Sequence, residues 1–191
     1  MVAVSRPLTT DADQIAASVE DPAAFAAVFD RHYDALAGYL RRRLEPALAD
    51  ELAAETFLRA FDARGRYDRT RADARPWLFG IAANLLSRHW RDESRRLRAF
   101  ARAAGPGADD PGTDAADARV DARASHAALA AGLAALAPDD REALLLYAWV
   151  ELTYEQIGEA LAIPTGTVRS RLHRARAVLR EALATPTEEI R

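Results

Sequence analysis

The stretch TYEQIGEALAIPTGTVRSRLHRAR, Thr153 to Arg176, decides the fold. Thr153 followed three residues later by Gln156 has the spacing of a capping box, in which each side chain satisfies a backbone N–H at the helix start. A short helix to about Leu161 follows, with Gly158 offering a small residue where a second helix would cross. Ala162-Ile163-Pro164 makes a tight turn. Thr165 then opens a last helix through Leu183, along which Val168, Leu172, Ala175, Leu179 and Leu183 recur as one apolar stripe. Two short helices joined in this way form the helix-turn-helix pattern. Ile157, Leu161, Ile163 and Val168 would fix the angle between them, leaving Thr165, Gly166, Thr167, Arg169, Ser170, His173, Arg174 and Arg176 on or near the start of the second helix. Backbone N–H groups there favour a phosphate, and the side chains can enter a major groove. A solvated surface helix is the alternative, but such helices normally mix both signs of charge. Thr165 to Arg180 holds five arginines and no acid.

A second constellation lies upstream in ARPWLFGIAANLLSRHWRDESRR, Ala74 to Arg96. At 3.6 residues per turn, Trp77, Asn84, Arg88, Arg91 and Arg95 share one face of a helix starting near Pro76, while Leu78, Ile81, Ala82 and Leu85 share the adjacent one. Guanidinium and amide groups beside an aromatic can grip phosphates and stack on exposed bases, which suits single-stranded or melting DNA. Trp77 taken alone reads more readily as a core anchor, and Trp90, aligned with Phe79, Leu86 and Leu97, is predicted to pack. The preceding loop, Arg64 to Arg75, is basic, with Arg64 and Arg66 near its start, and has no apolar periodicity.

Between the constellations, Ala103 to Ala118 (AAGPGADDPGTDAADA) holds four aspartates and no base, and reads as a linker. All 26 basic residues of the 191-residue chain are arginine, and the net charge of −3 hides this segregation. Abundant alanine and leucine with sparse Val and Ile predict an all-α chain of two small helical domains. The N-terminal one starts at the Asp21-Pro22 cap. Its first stripe is Phe25, Val28, Phe29, His32, Leu36, Tyr39 and Leu40, interrupted at Glu45-Pro46. A helix from about Asp50 follows, with Ala54, Phe57, Leu58 and Phe61 inward and Glu51, Glu55, Arg59 and Asp62 outward. The C-terminal domain reads as four helices. These are a segment around Ser125 to Leu136, one from Glu142 to Val150 opened by an Asp139/Glu142 capping box, and the helix-turn-helix.

No cysteine is present, and His32, His89, His126 and His173 are scattered, so neither disulfides nor a metal site are expected. No cofactor is expected either. Met1 to Glu20 is acidic and polar without a long apolar run, so no membrane segment is predicted and a cytoplasmic location is the default. No nucleophile and base pair or phosphate loop marks an enzyme.

In this order, the two constellations and the linker resemble the extracytoplasmic-function group of sigma factors, over about residues 21 to 102 and 125 to 184. The resemblance implies domains at 1–20 (extension), 21–102 (region two), 103–124 (acidic linker), 125–184 (region four) and 185–191 (tail). It implies core RNA polymerase and promoter DNA as partners, with an anti-sigma factor as a further partner common in the group. The polymerase contact would be DELAAETFLRAF, Asp50 to Phe61, through Asp50, Glu51, Glu55, Thr56 and Arg59. The loop and the face with Asn84 and Arg88 would meet the downstream element, and the helix from Thr165 the upstream one. Many members carry aspartate four residues after the motif asparagine. Arg88 stands there instead, so their downstream preference does not transfer. A helix-turn-helix regulator acting without polymerase is the main alternative, but it leaves the N-terminal arginine face without a role.

Overall fold

The computed structural model describes residues 10–104 and 120–184, and among these every regular element is helical. Eight α-helices follow in order: α1 (Asp11–Ala17), α2 (Ala26–Arg41), α3 (Pro46–Ala63), α4 (Arg75–Ala104), α5 (Val120–Ala135), α6 (Pro138–Val150), α7 (Tyr154–Ala160) and α8 (Thr165–Ala184). A 3-10 turn over Pro22–Phe25 leads into α2, with the Asp21 carboxylate accepting from Ala23 N as the cap predicts.

The helix α1 lies within residues expected to form an extension outside the first domain. Thr10 and Asp13 close a capping box, and Ile15 is fully buried. Asp11 is buried as well. Its carboxylate accepts from Arg31, from the His32 ring (2.8 Å) and from the backbone N–H of Ala74 (2.8 Å), tying α1 to α2 and to the start of α4. Burial pushes the Asp11 carboxyl up, but His32, the Ala74 amide and Arg31 together bring it down to about 2.

Three boundaries shift for identifiable reasons. Glu45-Pro46 interrupts the first stripe as expected, but α3 begins there and not near Asp50, because Glu45 caps Ala47 N and Pro46 occupies the first turn, where its missing N–H costs nothing. Pro138 likewise starts α6 without a side-chain cap, so Asp139 and Glu142 form no capping box. The helices α4 and α5 take in 103–104 and 120–124, narrowing the expected linker to residues outside the described ones.

The inward face of α3 is rotated from the predicted one. Leu52, Ala53, Thr56, Phe57 and Ala60 are buried, whereas Ala54 is exposed and Leu58 is 56 % exposed. The α2 stripe seats Val28, Leu36 and Leu40 fully in the core, with His32 beside Asp11, while Phe29 stays partly exposed and stacks on Tyr33. From α4, Leu78, Phe79 and Leu86 are essentially buried, each side chain contributing roughly 1.5–3 kcal/mol. In the C-terminal half, α8 lies against α5, α6 and α7 through Val168, Leu172 and Ala175, while Leu183, expected at the end of that stripe, is 52 % exposed.

Candidate nucleic-acid interface

The helix-turn-helix is built as its residues dictate. Thr153 Oγ1 accepts from Gln156 N (3.2 Å) and Gln156 Oε1 accepts from Thr153 N (2.9 Å). Gly158 is required by the crossing, since a Cβ there would stand 2.8 Å from the Ile163 carbonyl oxygen. The turn includes Ala162 in the left-handed region (φ 53°). Ile157 and Val168 are fully buried, and the remaining faces of α8 stay in solvent.

On that outward side Gly166, Arg169, Ser170, His173, Arg174 and Arg176 are exposed, and Thr165 and Thr167 half-buried. Their availability differs. Arg169 has no ion-pair partner among the described residues. Arg174 grips the nearly buried Asp140 of α6 through two hydrogen bonds (2.9 and 2.7 Å), which raises its guanidinium pKa. Arg176 donates to the Tyr154 hydroxyl (3.2 Å) and stands over the Tyr147 ring. Ser170 Oγ is turned back to the Thr167 carbonyl (2.9 Å). The expectation that all these groups are free therefore holds best for Arg169 and His173.

The α4 constellation divides in two. Asn84, Arg91 and Arg95 line a cleft of about 790 Å³. Trp90, predicted to pack, is 45 % exposed and lines the same cleft, because α4 has run past the bundle that buries Phe79 about three turns and Leu86 about one turn earlier. Trp77 is half-buried against Tyr67, with ring centroids 4.8 Å apart, so it serves as a core anchor. Arg88 does not share the cleft; it lines a shallower groove with Glu51, Glu55, Leu58 and Arg59 of α3. Arg64 is not free for DNA, since it donates to the carbonyls of Ser18 (3.1 Å) and Phe61 (2.6 Å). Arg66 is exposed. The loop is held by Tyr67, whose buried hydroxyl donates to Arg71 O (2.8 Å) and lies 3.2 Å from Asp73 O; burial and nearby Asp11 and Asp73 push its pKa to about 12.

On α3, Glu51 is exposed, Glu55 receives Arg59 at 2.7 Å, and Asp50 is held by Arg41 at 2.7 Å. Thr56 is a correction: it is fully buried and its hydroxyl donates to Leu52 O (2.7 Å), so it cannot meet a partner directly. Leu58, 56 % exposed, lines a groove together with Glu51, Glu55 and Arg59.

Comparison with known proteins agrees with this division. Residues 28–96 match the family profile of sigma-70 region 2 and residues 126–179 that of sigma-70 region 4. The RNA polymerase sigma factor CarQ of Myxococcus xanthus is 36 % identical over 162 residues, covering 84 % of this chain and 89 % of CarQ. The ECF RNA polymerase sigma factor SigL of Mycobacterium tuberculosis is 32 % identical over 170 residues, covering 87 % and 93 %. Among solved structures, CnrH in complex with the cytosolic domain of CnrY superposes with a TM-score of 0.63 at 27 % identity, covering 93 % of this chain and 99 % of that one.

Proposed function

Because the chain belongs to the sigma-70 family, as an RNA polymerase sigma factor of the extracytoplasmic-function group, we propose a division of labour among its three exposed faces. The first turns of α8, led by Arg169 and His173, read the upstream promoter element as duplex. Asn84, Trp90, Arg91 and Arg95 hold a strand of the downstream element as it opens, with Arg66 on the approaching phosphates. Glu51, Glu55, Leu58 and Arg59 meet core polymerase, with Arg88 at the margin of that contact.

The observation that carries this reading is the separation of the arginines onto two helices with different surroundings. The arginines of α8 lie on a helix-turn-helix face shaped for a groove, whereas those of α4 border a cleft with an exposed indole. The functional domains accordingly run from Thr10 through α4 and from α5 to α8. The protein works without chemistry of its own, in the compartment that holds polymerase and chromosome. Among the described residues no helix is long and apolar enough to cross a membrane.

A protein inhibitor is a natural further partner, since CnrH is seen in complex with the cytosolic domain of CnrY. In-vitro transcription with core polymerase on fragmented genomic DNA tests the whole reading. Discrete new start sites that depend on this chain are expected, and core polymerase that starts nowhere new with the chain added would refute it.

A further inference from the structure

The helix α1 lies ahead of the residues that match sigma-70 region 2, yet it reaches both ends of the loop at 64–75. At the start of the loop, Arg64 Nε donates to the carbonyl of Ser18 (3.1 Å), the buried residue that closes α1. At the other end, the Asp11 N–H donates to the Ala72 carbonyl (3.0 Å) and the Asp11 carboxylate accepts from the Ala74 N–H (2.8 Å). The seven residues of α1 therefore span the two ends as a strut about 10 Å long. The strut is itself seated. Ile15 is fully buried, and the Asp11 carboxylate, 4 % exposed, also accepts from Arg31 and from the His32 ring of α2 (2.8 Å).

The loop is thus held along its inner side and open along its outer one. Four consecutive residues have a backbone group within reach of a partner: the Tyr67 hydroxyl donates to Arg71 O and stands 3.2 Å from Asp73 O, while Asp11 takes Ala72 O and Ala74 N. Arg71 and Asp73 also reach Glu159 and Gln156 of α7, but through their side chains. Outward, Arg66 and Arg69 are exposed. A loop fixed in this way meets a strand with its backbone already ordered, and ordering the backbone of a single residue costs about as much as a tenfold loss of affinity.

We infer that α1 is a brace for the downstream-element loop and that Asp11 is a positioning residue. Buried as it is, Asp11 touches no DNA; it holds residues 72–74 in the shape that presents Arg66 and Arg69 to the opening strand. The inference rests on the reading of the loop as a downstream-element contact. It makes Arg64 a second positioning residue, since its guanidinium is turned inward to Ser18 and Phe61 and yet its loss should loosen the loop.

The test uses the full-length chain and its holoenzyme. The probe is a forked oligonucleotide from a start site mapped by the transcription experiment, single-stranded through the downstream element. Asp11→Ala should speed hydrogen exchange of the amides at 72–75 at least about tenfold, since their protection reports local opening. It should weaken capture of the probe at least about tenfold, with the salt slope and the affinity for an upstream-element duplex unchanged. A general loss of folded protein would lower both affinities together. Asp11→Asn keeps an oxygen for the Ala74 N–H and should stay within about threefold of wild type. Wild-type exchange or wild-type capture in a folded Asp11→Ala protein would overturn the inference, as would an equal loss in Asp11→Asn.

Should Asp11→Ala fail to fold, Arg64→Met decides. Weaker capture at an unchanged slope is expected, because no phosphate contact is removed. Wild-type capture, or a slope lowered by about 0.7 as for a lost contact to a single strand, would count against the brace. The double variant Arg66→Ala with Arg69→Ala checks the underlying reading and should lower the slope by up to about 1.4. If it changes neither capture nor slope, the loop is not the downstream contact, and exchange in Asp11→Ala still reports whether α1 holds it.

Discussion

Replacing Arg169 and Arg174 separately by alanine should give two different results, although both are exposed on α8. Each cation that neutralises a DNA phosphate releases condensed counterions, so its loss lowers the slope of log K against log salt by about 0.9. Arg169 has no ion-pair partner among the described residues and delivers the full term. Arg174 is held by two hydrogen bonds to Asp140, a carboxylate only 10 % exposed, and must leave that partner or share it with a phosphate. Its positive charge is already largely compensated, so its slope term should be well under half that of Arg169. Over a fourfold rise in salt, 0.9 in slope corresponds to about 3.5-fold in affinity, large enough to resolve by fluorescence anisotropy. The assay is holoenzyme binding to a duplex carrying only the upstream element, from 50 to 200 mM salt. A third variant gives the sign: Asp140→Asn releases the Arg174 guanidinium and should steepen the slope by up to about 0.9. Equal slope changes for Arg169→Ala and Arg174→Ala, or an unchanged slope in Asp140→Asn, would refute the view that Asp140 withholds Arg174 from DNA.

Gly158→Ala should destabilise the helix-turn-helix by roughly 1–3 kcal/mol, read as a lower urea midpoint, because the new Cβ meets the Ile163 carbonyl at 2.8 Å; an unchanged midpoint would mean that the crossing relaxes freely. The Asp11 carboxyl, brought from 3.8 to about 2 in the folded state, adds stability that is complete above about pH 4 and lost as pH falls through 2. With partial screening through the half-exposed Arg31 this amounts to on the order of 1–2 kcal/mol, so Asp11→Asn should flatten the acid limb of the stability profile in chemical denaturation. Leu58→Arg should weaken core-polymerase binding at least about tenfold by surface plasmon resonance while leaving helix content intact, since Leu58 is exposed and its removal costs the fold nothing; wild-type affinity would move the contact elsewhere. Trp90→Ala should slow strand opening by permanganate footprinting more than it reduces capture of closed duplex.

What could be read from the sequence follows from the range of the forces involved. The capping box at Thr153 and Gln156, the glycine at 158 and the cap at Asp21 are local, and each reappears with the geometry its residue types require. The rotation of α3 was not legible. In an alanine-rich helix several faces are equally apolar, and what turned Leu58 outward was the fit of Leu52, Thr56 and Ala60 against neighbours distant in sequence. The burial of Asp11 was hidden for the same reason: its partners Arg31, His32 and Ala74 are 20 or more residues away. The fate of the arginines was the least visible. A run without acids suggests a uniformly free cationic face, yet Asp139 and Asp140 reach Arg171 and Arg174 from another helix, and Arg64 turns back to cap its own. Charge density along a chain therefore marks where nucleic acid is met, whereas which cation meets it depends on the carboxylates and carbonyls that folding brings alongside. On that reasoning Arg169, Arg91 and Arg95 stand ahead of Arg174 and Arg64 as DNA contacts: among the described residues Arg169 has no ion-pair partner, and there Arg91 and Arg95 hold neighbours on their own helix, Ser87 and Asp92, so a phosphate can displace those bonds without undoing a tertiary contact.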